Sequence, residues 1–425
     1  MRTLLSVRMF VSASAMLFGI AVLAPTMWSA SGPSEARAGF KVVSNGFAEE
    51  FCARQGSLTN SPNSPQIPDD ECNFDAAAEE FTGPETVADG LGPVFNAAGC
   101  GECHMVPNLG GSSQIVEKRA GRFDGNAFFD HPGGSLIHDR ATDPKYQEIV
   151  QQGHNVTAFR ASLSVLGLGF VEAINSNTLE DIRQAQPASM RGRLIEVPVL
   201  ESPGRTRAGR FGWKDQQASL VSFSADAYVN EMGITSPLQP DELTSNGKNV
   251  TEAPEAPPGV DDEGVDVELF ALFMRSTLAP PRDTARANTS DARDGSGIFN
   301  SIGCNVCHTR DITTAPPGTT INGGALKVAN ALGNKVIHPF SDYLLHDIGT
   351  GDGIVQNGGG NTRNMLRTVP LWGLRARGRF MHDGLSLNVT DAILRHDNQA
   401  RSARDEFKGL SERSKNKLLA FLMSL

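Results

Sequence analysis

Cysteine and histidine, the side chains best suited to metal binding and redox chemistry, recur in two identical patterns along this chain. Residues 100–104 and residues 304–308 both read Cys-x-x-Cys-His. Two thiols one helical turn apart can add to the two vinyl groups of one porphyrin, and the adjacent imidazole can then bind the iron. A redox dithiol does not require the histidine, and a structural zinc site requires a second ligand pair nearby. The spacing therefore predicts two covalently bound haem c groups. Their attachment residues are expected to be Cys100, Cys103, Cys304 and Cys307, and their proximal iron ligands His104 and His308.

The two remaining cysteines, Cys52 and Cys72, lie in a stretch rich in proline, serine and asparagine. In an oxidising compartment we expect a disulfide between them that closes this loop. Two free thiols are the alternative, and neither state gives these residues a catalytic part.

The first 38 residues have the layout of a secretory signal. Two arginines precede an apolar stretch from Met9 to Met27, and Ala36-Arg37-Ala38 provides a small-residue cleavage site. Cleavage after Ala30 is an alternative, and so is an uncleaved anchor, since the apolar stretch approaches the ~20 residues of a spanning helix. The sequence predicts an exported, periplasmic protein with no stable membrane span after cleavage.

The charge balance is acidic. The 425 residues include 38 basic and 48 acidic side chains, a net charge of −10, which becomes −12 once residues 1–38 are removed. A basic surface for nucleic acid is therefore excluded. The acidic surface instead favours a basic protein partner, which we expect to be a small exported electron donor.

The chain reads as an internal duplication. Asp89–Cys100 and Asp294–Cys304 follow the same pattern with one residue deleted. Each half also ends in an apolar segment typical of a helix, Leu269–Met274 in the first and Leu418–Met423 in the second. Between its haem histidine and this segment the first half is longer by about 55 residues. The pattern predicts a mainly α fold of two tandem cytochrome c-like haem domains.

The roughly 55 additional residues of the first half are expected to form an insertion in the first domain. We predict a small β or irregular insertion near 190–265, with strands at Ile195–Leu200 and Arg210–Trp213 and a helix within Gln217–Met232. An irregular loop is expected from Pro237 to Glu268. The expected units are a leader over 39–80, a first domain over 81–285 and a second over 286–425.

Several further motifs carry a family resemblance. They are Gly209–Lys214, Asn230–Thr235, Tyr343–Gly349, and Arg367–Leu374 followed by His382-Asp383-Gly384. With the two haem signatures they resemble the dihaem oxidoreductase family, also called thiol oxidoreductases, which is related to the exported bacterial dihaem cytochrome c peroxidases. The resemblance covers roughly residues 80–425. It implies a mostly helical pair of cytochrome domains that handle electrons and peroxide.

The sixth ligand of each haem iron determines whether that haem transfers electrons or binds a substrate. The resemblance makes Met365 the first candidate ligand of the second haem, with Met381 as the alternative. His346 and His382 are further candidates, as ligands or as partners of a haem propionate. For the first haem the peroxidases have a distal histidine shortly after the attachment site, but here the nearest is His131. This departure leaves an open or differently ligated first iron.

Peroxide reduction needs a carboxylate that moves a proton between the two oxygens. Alignment of the two halves places Glu172 at the position of His382, and the resemblance places Glu180 where the peroxidases have their distal glutamate. Both are candidate catalytic residues, although both could be solvated acids at helix ends. Arg160 is a further candidate catalytic residue, and Arg367 is a candidate cofactor-binding residue. The guanidinium group of either arginine could pair with a haem propionate.

These expectations combine into one leading hypothesis. The haem on His308 collects electrons from the donor and relays them to the haem on His104, where hydrogen peroxide or a related oxidant is reduced. One alternative is a dihaem electron carrier without substrate chemistry. Another is an oxidase that uses high-valent haem on an organic or protein substrate. Trp213 or Trp372 could lie between the haems, although core packing is the commoner use of tryptophan.

Overall fold

A computed structural model describes residues 42–53, 67–253 and 259–425. The predicted export signal over 1–38 lies outside the described residues. Within them, no helix is both long enough and apolar enough to cross a membrane.

Helices outweigh strands, with 33% of the described residues helical and 15% in strands. The predicted predominance of helix is therefore confirmed, while the division into two domains stays a prediction. In chain order the α-helices of the described residues are α1 (Phe47–Cys52), α2 (Phe74–Thr82), α3 (Cys100–Cys103), α4 (Leu168–Glu172), α5 (Ser176–Ala185), α6 (Leu220–Ala227), α7 (Val265–Ser276), α8 (Thr284–Ala287), α9 (Ser290–Ser301), α10 (Val389–Leu394), α11 (Arg401–Gly409) and α12 (Glu412–Leu422).

Most strands are short and form two-stranded antiparallel pairs. They are β1 (Val94–Phe95), β2 (Val116–Phe123), β3 (Phe128–Asp130), β4 (Leu136–Ile137), β5 (Arg140–Ala141), β6 (Val156–Ala161), β7 (Glu196–Pro198), β8 (Thr206–Ala208), β9 (Ile312–Thr313), β10 (Thr320–Ile321), β11 (Leu326–Lys327), β12 (Val336–Ile337), β13 (Leu345–His346) and β14 (Leu366–Arg367).

A four-stranded antiparallel sheet centres on β2, which pairs with β3, β4 and β6. Its register places Glu117 opposite Arg160 and Arg119 opposite Ala158. Glu117 and Arg119 share one face, because side chains two residues apart in a strand point the same way. β structure was predicted only near 190–265, so this sheet was not predicted from the sequence. The reason is that β2 carries charged residues instead of an apolar alternation.

The predicted insertion is only partly right. Strands β7 and β8 pair within it, and helix α6 followed by a π-helical turn over Tyr228–Met232 agrees with the predicted helix. The predicted strand at Arg210–Trp213 is wrong, because only an isolated bridge from Phe211 to Gln217 forms there. The loop predicted from Pro237 to Glu268 is irregular where it is described up to residue 264, but its last four residues belong to helix α7.

The two predicted closing helices are present as α7 and α12. Helix α7 is buried from Val267 to Ser276 and packs on α2, while α12 packs on α9. The two duplicated segments nevertheless differ. Residues 290–301 are helical, whereas residues 89–99 contain only a 3-10 turn and the two-residue strand β1. Pro93 lacks a backbone N–H, so this segment cannot continue as a regular helix.

The predicted disulfide between Cys52 and Cys72 is confirmed. It links the end of α1 to the turn that precedes α2. The leader is thereby tied to a helix that packs on α7.

Replacing Gly295 with Ala is expected to destabilise the protein. Helices α9 and α12 cross so closely at Gly295 that an added Cβ would overlap the Lys417 carbonyl. Overpacking of this kind costs about 1–3 kcal/mol. Gly297→Ala is the matched control in the same helix, because a Cβ there meets nothing within 4 Å. It is expected to stabilise the helix by about 0.5–1 kcal/mol. Chemical unfolding of both variants measures the difference, and equal stabilities would contradict the proposed close crossing.

Candidate functional site

The first Cys-x-x-Cys-His segment forms a single helical turn. Helix α3 contains both cysteines, and His104 follows directly. His104 Nδ1 lies 3.2 Å from the Gly111 carbonyl oxygen, to which it donates. Burial lowers the pKa of His104, although hydrogen bonding to the backbone carbonyls of Gly111 and Leu163 acts in the opposite direction. A neutral imidazole that carries its proton on Nδ1 keeps the lone pair of Nε2 for a metal.

The second segment holds its histidine in the same way. A 3-10 turn spans Cys304–Val306, and His308 Nδ1 donates to the Phe340 carbonyl oxygen at 2.9 Å. Burial lowers the pKa of His308 to about 4, and the neighbouring His396 adds to this effect. Both predicted proximal ligands are therefore neutral and oriented by the backbone.

The four cysteines of these segments form no disulfide. Burial raises the pKa of Cys103 to about 11 and that of Cys304 to about 12, and it also raises the pKa of Cys100. Redox-active dithiols have a lowered thiol pKa. These three thiols therefore do not have the lowered pKa of a redox dithiol.

A cavity of about 660 Å³ extends from the first segment. Its volume lies within the range of about 300–1,000 Å³ that is usual for small-molecule and cofactor sites. One end contains Cys100, Cys103 and His104, and the β2 sheet contributes Glu117, Arg119 and Arg160 to the wall. This part of the wall carries both acidic and basic side chains, and Arg119 is paired with Glu117.

Two glutamates in this wall form a carboxyl pair. The carboxyl groups of Glu117 and Glu231 lie close enough to influence each other's ionisation, and two carboxyl groups can share a hydrogen bond only when one of them is protonated. Burial and the nearby Glu117 raise the pKa of Glu231 to about 8. Burial alone would raise the pKa of Glu117. Arg119, whose Nε donates to the Glu117 carboxylate at 2.6 Å, outweighs this effect and lowers the pKa. The lowered pKa of one carboxyl group and the raised pKa of the other mean that the pair holds one proton and one negative charge at neutral pH.

His138 is the other histidine that lines this cavity among the described residues. Its Nδ1 lies 2.7 Å from a Glu148 carboxylate oxygen, and its Nε2 lies 2.8 Å from the Asn230 carbonyl oxygen. Both nitrogens are engaged, so His138 has none free for a metal. His131, the nearest histidine after the first segment, does not line the cavity.

The second cavity is narrower, about 200 Å³, and its surface is mostly apolar. Cys304, Cys307 and His308 lie in its wall. The same wall contains three more histidines and one of the predicted methionine ligands, namely His346, His382, His396 and Met381. This site is rich in iron ligands, whereas the first cavity is rich in carboxylates.

The two cavities share a wall that includes Trp213 and Arg367. Trp213 Nε1 donates to the Ala161 carbonyl oxygen at 2.8 Å. Arg367 Nε donates to the Gly212 carbonyl oxygen at 2.6 Å, while its buried Nη1 has no hydrogen-bond partner. Of the two candidate tryptophans, Trp213 lines both cavities and Trp372 lines only the first.

Residues 110–425 match the sequence family described as "Di-haem oxidoreductase, putative peroxidase". The chain belongs to this family. The predicted resemblance is confirmed, and the protein is a di-haem oxidoreductase. No curated protein sequence matches it.

Several solved structures are similar to this di-haem oxidoreductase at 13% identity. Hydrazine synthase of Kuenenia stuttgartiensis aligns over 100% of both chains with a TM-score of 0.40. A variant of the diheme peroxidase BthA from Burkholderia thailandensis aligns over 82% of this chain and 84% of its own, with a TM-score of 0.37. A MauG-like protein associated with microbial copper homeostasis aligns over 61% and 89%, with a TM-score of 0.31. TM-scores below 0.5 do not define the fold.

The described residues of the di-haem oxidoreductase fit two haems. Each cavity has two cysteines and a neutral histidine in its wall. The unpartnered Nη1 of Arg367 supplies a buried cationic donor between them. A buried donor without a partner is costly, and a propionate would satisfy it.

The structure does not bring the two predicted catalytic glutamates to either cavity. Glu172 is buried and accepts from Arg275 Nε at 2.7 Å and from Asn322 Nδ2 at 3.0 Å. Glu180 lies on α5 and pairs with Arg183 at 2.6 Å. Neither lines the first or the second cavity. Their geometry suits structural ion pairs.

The other predicted site residues divide between cavity and core. Arg160 lines the first cavity, but it is held by an ion pair to Asp352 at 2.6 Å. Met381 lines the second cavity. Met365 instead packs against a small apolar cluster that includes Val197.

The carboxyl pair formed by Glu117 and Glu231 was not predicted from the sequence. Glu117 and Glu231 are separated by more than a hundred residues, and only the fold brings β2 beside the turn that follows α6. One signal was available, because Glu231 lies within the Asn230–Thr235 motif that carried the family resemblance. The motif gave no role to the residue.

Proposed function

We propose that this di-haem oxidoreductase is an exported peroxidase that reduces hydrogen peroxide in its first cavity. The observation that supports this most is the Glu117–Glu231 pair in the wall of a cavity that also contains His104. A carboxylate and a carboxylic acid in contact can take a proton from one peroxide oxygen and return it to the other. When bound, the haem supplies the iron that accepts peroxide and the electrons that reduce it.

The cofactors are two haem c groups. Cys100, Cys103, Cys304 and Cys307 attach them as thioethers, and His104 and His308 are the proximal ligands. The buried, unpaired thiols beside backbone-oriented imidazoles support this assignment. Export to the periplasm is consistent with the Cys52–Cys72 disulfide, since disulfides persist in oxidising compartments.

Electrons enter one at a time from a small exported donor through the second cavity. Reduction of one peroxide to two waters consumes two electrons and two protons, so two donor molecules are oxidised per turnover. The shared wall supports a relay between the cavities, because Trp213 contacts both. The Glu117–Glu231 pair holds one proton at the site of use.

Steady-state assays on the protein with both haems loaded test this function. A reduced small c-type cytochrome is the donor, and peroxide consumption and donor oxidation are followed together. We expect two donor molecules oxidised per peroxide. Two haems of similar reduction potential, with no peroxide turnover, would instead indicate an electron carrier.

Electron delivery by a basic donor is expected to slow as salt rises. The predicted mature chain carries a net charge of −12, and electrostatic steering accelerates association by about 10–10³-fold at low ionic strength. Stopped-flow oxidation of the donor, measured from low to physiological salt, gives the slope. The reaction of the pre-reduced enzyme with uncharged peroxide is the internal control and should not change. A donor rate independent of salt would rule out a basic partner.

A further inference from the structure

The second cavity contains a histidine that the sequence analysis did not single out. His396 lies two residues after the end of helix α10 and lines the cavity together with Cys304, Cys307 and His308. His396 Nδ1 donates to the Ala392 carbonyl oxygen at 2.8 Å. Because a carbonyl oxygen can only accept a hydrogen bond, the ring carries a hydrogen on Nδ1, and Nε2 is the nitrogen left for another partner. His308 and His104 hold their rings in the same way.

Capping of helix α10 explains the hydrogen bond of His396 Nδ1 but not the position of the ring in the cavity wall. A histidine at a helix C-terminus commonly donates to one of the last carbonyls, which accounts for Nδ1. It does not account for the position of the ring in the wall of the cavity that also contains Cys304, Cys307 and His308. His396 lies deep in the protein, yet part of its surface stays accessible, as expected for a side chain that faces a cavity.

The segment around His396 is firmly anchored. The backbone N–H of Asp397 donates to the Ile348 carbonyl oxygen at 2.8 Å. The Asp397 carboxylate pairs with Arg401 at 2.6 Å and with Arg404 at 2.9 Å. Ligands fixed by their surroundings bind metal with less loss of entropy, so His396 is placed as a preorganised ligand.

The other donors in this wall are less well placed. His346 has Nε2 at 2.8 Å from Asp342 and Nδ1 at 3.7 Å from the Cys307 sulfur, so both nitrogens are engaged. His382 lies at the shared wall with its ring centroid 6.1 Å from that of Trp213, and its buried Nδ1 has no hydrogen-bond partner that would orient the ring. Met381 is the remaining candidate.

We propose that His396 binds the iron of the second haem on the side opposite His308. The inference rests on the proposed haem at this site. Two imidazole ligands would fill both axial positions, so the second haem would transfer electrons without binding peroxide. Its reduction potential would be lower than a histidine–methionine pair gives.

Electron paramagnetic resonance of the oxidised holoprotein tests this ligand, because each low-spin ferric haem gives its own signal. In His396→Ala the low-spin signal assigned to the second haem is expected to become high-spin, and added imidazole is expected to restore it. Two control variants in the same cavity, His382→Ala and Met381→Leu, should keep the wild-type signal. His396→Met should remain low-spin with a more positive potential.

A low-spin signal unchanged in His396→Ala, or one lost in Met381→Leu instead, would overturn the assignment. If His396→Ala does not fold, an unchanged potential in His396→Met would overturn it as well. None of these spectra requires peroxide. A protein with the expected spectra but no peroxide turnover would therefore refute the proposed peroxidase function and leave His396 as the ligand.

Discussion

Glu231→Gln is expected to lower kcat/KM for hydrogen peroxide by about 10²–10⁴-fold, the usual contribution of a general acid–base group. Glutamine has nearly the same shape and can still hydrogen-bond to Glu117, but it cannot transfer a proton. Haem binding should be unaffected, because Glu231 is not among the attachment residues. Absorption spectra of the loaded variant check this, and steady-state peroxide assays give the rate.

The pH profile provides a second readout of the same pair. The pKa of Glu231 is raised to about 8 by burial and by Glu117. Its acid form is therefore present at neutral pH and is lost as the pH rises through about 8. Wild-type activity should fall across that interval, and the fall should be absent from Glu231→Gln.

Glu180→Gln is the matched control for this prediction. Glu180 was the other glutamate suggested by the family resemblance, but it lies on α5 against Arg183 and lines neither haem cavity. Its removal should leave kcat/KM unchanged. A variant at Glu180 that loses activity while Glu231→Gln retains it would place the acid–base group where the resemblance suggested.

Features encoded by local spacing could be predicted from the sequence. The two Cys-x-x-Cys-His segments, the Cys52–Cys72 disulfide and the closing helices α7 and α12 each depend on residues close together in the chain. The family was also predictable, because its motifs are local. These features identify the cofactor sites and the helices that flank them.

The distal chemistry could not be predicted, because it depends on contacts between distant segments. Glu117 is on β2, a strand without the apolar alternation that marks strands in sequence, and its partner Glu231 lies in a π-helical turn. His396 was inconspicuous because its value as a ligand comes from the Ala392 carbonyl that orients its ring. Nothing in the local sequence specifies these contacts.

Alignment of the two halves also has a physical limit. It matched residues 170–172 with residues 380–382, but the first segment belongs to helix α4, while Phe380 makes an isolated bridge to Ser386. Side chains at aligned positions of the two halves therefore have different orientations in the structure. Glu172 is directed at Arg275, whereas His382 lines the second cavity.

Glu172→Ala is expected to lower the free energy of unfolding by about 3–5 kcal/mol, because removal of one member of a buried ion pair leaves the other uncompensated. Glu172 and Arg275 are both fully buried, with Nε and Nη2 of the arginine 2.7 Å and 3.0 Å from the carboxylate oxygens. The Leu220 N–H also donates to Glu172 at 2.7 Å and would lose its acceptor. Chemical unfolding of the holoprotein measures the change.

The pH dependence of this stabilisation has a defined sign. Burial alone would raise the pKa of Glu172, but Arg275 and the hydrogen bonds outweigh it and hold the pKa below the usual 4.5. A carboxyl group with a lowered pKa stabilises the fold above its unfolded value and loses that effect as the pH falls through the folded value. The difference between wild type and Glu172→Ala should therefore be full at neutral pH and shrink only in acid, below about pH 4.5.

Glu180→Ala is the control variant, because it removes a partly exposed ion pair instead of a buried one. Because the Glu180–Arg183 pair is partly exposed, its loss should change stability by no more than about 0.5 kcal/mol. Glu172→Gln then distinguishes a structural role from a catalytic one, since the folded fraction should retain wild-type kcat/KM for peroxide. If Glu172→Gln is as stable as wild type but loses peroxide turnover, Glu172 acts in catalysis and the Glu117–Glu231 pair is not the sole acid–base group.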